Sequence, residues 1–87
     1  MANKYVDVDL SNEEKETILK LAGHFVIDEK SKKDLKNNRK KWIQFTVYDL
    51  TEVIGELSYY FNRSKSDYQF HLLDQLIGHL EFYERRK

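Results

Sequence analysis

The chain has 87 residues and neither cysteine nor proline, which limits it to a single small domain and excludes disulfides and thiolate metal sites. Its 40% hydrophobic and 14% aromatic content is too apolar for a disordered segment. Net charge is zero, but residues 30–41 carry seven basic groups and one acidic, a local +6, so the remainder carries −6.

Residues 5–10 alternate, with Val6, Val8 and Leu10 on one side and Tyr5, Asp7 and Asp9 on the other, the period of a half-buried strand. Ser11 then reads as a helix N-cap, with Glu14 placed to complete a capping box and Glu13 and Glu16 suiting the positive helix end. Ile18, Leu21, Ala22 and Phe25 give the apolar stripe of a helix over 12–25. Gly23 can end that helix as a left-handed cap, leaving His24–Asp28 as a strand, or the helix can continue to Ile27.

Residues 28–41 hold one apolar side chain, Leu35, and read as a basic linker, either a surface loop or a frayed basic helix. From Trp42 the chain turns aromatic and β-branched, predicting a strand over 42–46 that pairs with 5–9 or with 24–28. Thr46 caps the next helix, 47–62, whose stripe is Leu50, Val53, Ile54, Leu57, Tyr60 and Phe61. Ser66 caps the last helix, 67–85, with Gln69 in the capping-box position and Phe70, Leu73, Leu76, Ile77, Leu80 and Tyr83 along its apolar side. The short turn between them makes the two helices antiparallel neighbours. The expected fold is therefore α+β and mainly α, ending in a helical hairpin.

The two C-terminal helices share a phrase. Leu50–Tyr60 and Leu73–Tyr83 agree at five of eleven positions, among them Gly55 and Gly78. Each helix also carries a second row away from its main stripe. On the first it is Tyr48, Glu52, Gly55 and Tyr59; on the second it is His71, Gln75, Gly78 and Phe82. A glycine inside a helix costs roughly 1 kcal/mol relative to alanine, so one in each row suggests close approach by something outside the helix. A chain this short buries only about 60–65% of its unfolded surface, and a second copy is the usual remedy. The rows are accordingly expected to form a partner interface, in a homodimer or with another protein.

Catalytic motifs are missing. There is no phosphate loop, G-x-S-x-G or H-E-x-x-H, and the i, i+4, i+8 series His71, Gln75, His79 lacks the Glu-x-x-His partners of helical metal sites. The expectation is a protein that is not an enzyme, with no cofactor and no metal. The alternative reading uses the basic segment: Lys32, Lys33, Lys36, Arg39, Lys40 and Lys41 can neutralise phosphates, and Trp42 can stack on a base. The neutral total charge favours the protein-interaction reading over nucleic acid. No apolar run approaches the roughly 18 residues of a membrane span, and no signal-peptide core opens the chain, so a cytoplasmic location is expected.

Overall fold

The computed structural model describes residues 5–85. In chain order the elements are β1 (Tyr5–Asp9), α1 (Asn12–Ala22), a 3-10 turn at Gly23–Phe25, α2 (Glu29–Lys36), β2 (Trp42–Thr46), α3 (Val47–Arg63) and α4 (Asp67–Arg85). The fold is α+β and mainly α, as the patterning indicates.

β1 and β2 pair antiparallel, with Tyr5 opposite Thr46, Asp7 opposite Gln44 and Asp9 opposite Trp42. Directly opposed residues share a face, so one face of this ribbon carries Val8, Ile43 and Phe45, all fully buried. The ladder continues one residue further, where the Leu10 N–H donates to the Lys41 carbonyl at 3.0 Å. α1 starts as expected: the Glu14 N–H donates to Ser11 Oγ, and the Ser11 N–H donates to Glu14 Oε1. It stops at Ala22, earlier than 25. Gly23 has φ −58°, so it continues a right-handed turn and is not the left-handed cap, and residues 24–28 form neither a strand nor a longer helix. Fully buried Val26 pulls this segment into the core.

Of the two readings of the basic segment 28–41, surface loop or frayed basic helix, the helical one is nearer. The segment contains an ordered eight-residue helix capped by Asp28, whose carboxylate accepts from the Ser31 N–H at 3.1 Å. Its inner side is mostly polar. Ser31 Oγ donates to the Gln44 carbonyl, and Asp34 Oδ2 accepts the Gln44 N–H at 3.3 Å. Those two backbone groups point away from β1, so α2 closes the outer edge of β2 with side chains where a third strand would otherwise pair. Leu35 alone adds apolar burial.

Two further polar groups are buried. Lys15 is 2% exposed, and its ammonium donates to the carbonyls of Asn37 at 2.6 Å and Lys40 at 2.7 Å, tying α1 to the segment after α2. Asp49, fully buried, accepts the Asp28 N–H at 3.0 Å and so joins the start of α3 to the start of α2. Over this frame α3 and α4 form the expected hairpin. Leu50, Val53 and Leu57 meet Leu73, Leu76 and Leu80 in one hydrophobic cluster with the sheet and α1. Each such buried side chain contributes about 1.5–3 kcal/mol of transfer free energy, which orients both helices.

Candidate protein interface on the helical hairpin

Two cross-hairpin contacts fix the register of α3 against α4. Thr51 Oγ1 donates to Glu84 Oε2 at 2.8 Å, and the Phe61 and Phe70 rings stack with centroids 4.5 Å apart. Counted along antiparallel helices, the first contact sets Gly55 level with Leu80 and the second sets it level with Leu76. Midway lies Gly78. The two glycines therefore stand side by side across the hairpin, on axes separated by about 8–10 Å as packed helices are.

The rows around them face the same way. α3 turns Thr51 and Phe61 to α4 and Asp49 to the α2 end of the molecule; α4 turns Phe70 and Glu84 to α3 and His79 to β1. At about 100° per residue, each row lies between those two flanks on the remaining side. Antiparallel helices wind in opposite senses when viewed from one end, so both rows look outward from one surface.

That surface is aromatic at its margins and bare at its centre. Tyr48 is 62% exposed, Tyr59 49% and Phe82 54%. His71 and Gln75 are exposed, and Glu52 is half-buried. Among the described residues, a Cβ added at Gly55 or Gly78 would meet nothing within 4 Å, so packing among them requires neither glycine. The rings are held in place from within: Arg63 lies 4.5 Å over Tyr59, Phe82 meets Tyr83 edge-on, and His71 meets Phe70 edge-on. Hydrogen bonding to Glu52, then the charge of that carboxylate, raises the Tyr48 phenol above its usual 10.0.

His79, on the edge of the α4 stripe, is absorbed by the fold. Its Nε2 donates to the Asp9 carbonyl at 2.6 Å, which fixes the proton on that nitrogen, and its ring meets Tyr83 edge-on. It is separated in role from exposed His71. Among the described residues, no group of three or more His, Asp or Glu side chains is arranged to hold a metal ion.

The basic residues are dispersed rather than gathered on one phosphate-binding strip. Lys32 reaches Glu29 at 4.0 Å, Lys40 pairs with buried Asp34 at 3.0 Å, and Lys41 lies 3.9 Å from Asp9. Lys33, Lys36 and Arg39 are exposed and make no ion pair among the described residues. Trp42 is 48% exposed but stands directly opposite Asp9, on the sheet face that also carries Asp7. A nucleic-acid base stacked there would bring its phosphates against two carboxylates. Arg39, Lys41 and His79 do line a shallow cleft of about 390 Å³, together with Ser11, but Asp9 and Glu14 line it as well.

The burial of Ser31, Asp34, Lys15 and Asp49 has no signature in the sequence, because polar burial leaves no periodic apolar signal. The only legible trace was Asp28 three residues before Ser31, a capping spacing inside an apparently structureless run. No helix among the described residues is long and apolar enough to cross a membrane. No protein-family model, no curated protein and no solved structure matches this chain.

Proposed function

We propose that this chain is a small, non-catalytic protein–protein interaction module of the cytoplasm. It associates with a second copy through the outward surface of the α3–α4 hairpin, a homodimer being the smallest assembly, and needs no cofactor. One observation carries the reading: two mid-helix glycines stand level on an exposed face rimmed by Tyr48, Tyr59 and Phe82, and no packing among the described residues accounts for them. A missing side chain at the centre lets a partner approach the backbone, and exposed rings at the rim supply contact area once water is excluded. The nucleic-acid reading through residues 30–41 has less support, because Lys40 and Lys41 lie beside carboxylates and Trp42 stands opposite one.

Sedimentation equilibrium tests the proposal. The wild type should exceed the monomer mass at micromolar concentration, and Gly55→Leu with Gly78→Leu should return it to monomer with helicity unchanged. A wild type that stays monomeric up to millimolar concentration overturns the reading.

A further inference from the structure

We propose that the occupant of the hairpin face is the lysine ridge of α2 from a second copy, docked head to tail. This rests on the self-association reading above and names the surface that meets the rings. Besides buried Asp49, α3 and α4 together carry six carboxylates and only two arginines, one of which, Arg63, already lies over Tyr59. Glu52 and Glu81 flank the glycines, and Asp74 follows on the exposed side. Two copies of such a face set against each other would juxtapose like charges, an arrangement that electrostatics disfavours.

The complementary charge is on the same chain. Lys30, Lys33 and Lys36 project from the outer side of α2, exposed and without ion pairs among the described residues, and Arg39 follows in the turn after it. The ridge is rigid, because Ser31 and Asp34 bond the inner side of α2 to Gln44, and Lys15 pins the carbonyls of Asn37 and Lys40. A pre-ordered surface loses little freedom on docking. Lysine stems cover aromatic rings while their ammonium groups seek carboxylates or ring faces, which suits Tyr48, Phe82, Glu52 and Glu81 together.

α2 packs on β2 and α1, whereas the receiving face looks outward from α3 and α4. The two surfaces differ, so the contact is heterologous and propagates into a ring or a chain unless its rotation closes at two.

Charge reversal decides it. In low salt the weight-average mass of the wild type should rise beyond the dimer with concentration, and it should fall to monomer in 1 M salt, where charges are screened beyond about 3 Å. Lys33→Glu with Lys36→Glu should sediment as a folded monomer, and so should Glu52→Lys with Glu81→Lys. An equimolar mixture of the two variants should associate again, since each supplies the charge the other has lost. Restoration on mixing excludes simple misfolding. A dimer indifferent to salt and to both reversals overturns this inference and leaves the self-association reading standing; a wild type monomeric throughout overturns both.

Discussion

The ammonium of Lys15 donates to the backbone carbonyl of Asn37 at 2.6 Å, and the lysine is buried with no ion pair among the described residues. Its second acceptor, the Lys40 carbonyl, closes a clamp across the segment that leaves α2. Each carbonyl oxygen carries the negative end of a peptide dipole, so two of them together can solvate a cation withdrawn from water.

Replacing Lys15 with methionine keeps most of the stem volume and removes the donor. Two carbonyls are then left without their partner, at about 1–3 kcal/mol for each that water cannot reach. The expected outcome is a loss of about 2–4 kcal/mol in urea unfolding, with amide exchange accelerating first over residues 37–41. Uniform acceleration across α1, α3 and α4 would show that Lys15 has no special hold on that segment.

The glycines make the opposite prediction for the isolated fold. Open space surrounds the Cβ position at both, so Gly55→Ala and Gly78→Ala should each stabilise the monomer by about 0.5–1 kcal/mol through helix propensity alone. Measured at a concentration low enough to keep the chain monomeric, the thermal midpoint should rise for each variant. Association through the hairpin face should weaken in the same variants, because the added methyls hold the partner away. A rise in stability with unaltered association would remove the glycines from the interface.

Alkaline pH should expose three surface tyrosines. Burial and then the Asp28 charge raise Tyr5, hydrogen bonding to Glu52 raises Tyr48, and hydrogen bonding to Glu13 raises Tyr68 above the usual 10.0. A phenol with a raised folded value binds its proton more tightly in the native state. Its contribution to stability is therefore complete below pH 10 and is lost as pH climbs through the folded value. Combined Tyr5→Phe, Tyr48→Phe and Tyr68→Phe should flatten the decline in unfolding midpoint as pH rises above about 10, relative to wild type. Lysine deprotonation acts on both proteins in that range, so the difference between them is the measured quantity. Parallel curves would contradict the tyrosine linkage.

Much of the hairpin could be read from residue spacing, since Leu50, Val53, Leu57 and Leu73, Leu76, Leu80 are buried as a 3.6-residue period requires. The exposed rows followed as the opposite sides of the same helical wheels. Their alignment did not follow, because the level of Gly55 against Gly78 depends on Thr51 meeting Glu84 and Phe61 meeting Phe70, which no local pattern encodes. α2 is left open between loop and frayed helix by the sequence for a different reason. It is anchored by Ser31 and Asp34 on the backbone of β2, and hydropathy counts such residues as solvent-facing. Gly23 left two readings open, since a glycine at a helix end permits a left-handed cap without requiring one.

Asp34 tests whether α2 depends on that anchorage. It is 7% exposed, accepts the Gln44 N–H through Oδ2 and meets the Lys40 ammonium at 3.0 Å through Oδ1. Lys40→Ala leaves the nearly buried Asp34 carboxylate without its counter-ion and should cost about 1–3 kcal/mol. Asp34→Ala strips the acceptor from a β2 amide at the covered edge and should cost about 2–3 kcal/mol. Asp34→Asn retains a carbonyl oxygen for the Gln44 N–H and should cost less than Asp34→Ala. In a Lys40→Ala background the Asn substitution should cost less than in wild type, because the charge it removes no longer has a counter-ion. Equal costs in both backgrounds would mean that Asp34 holds α2 through the strand amide alone.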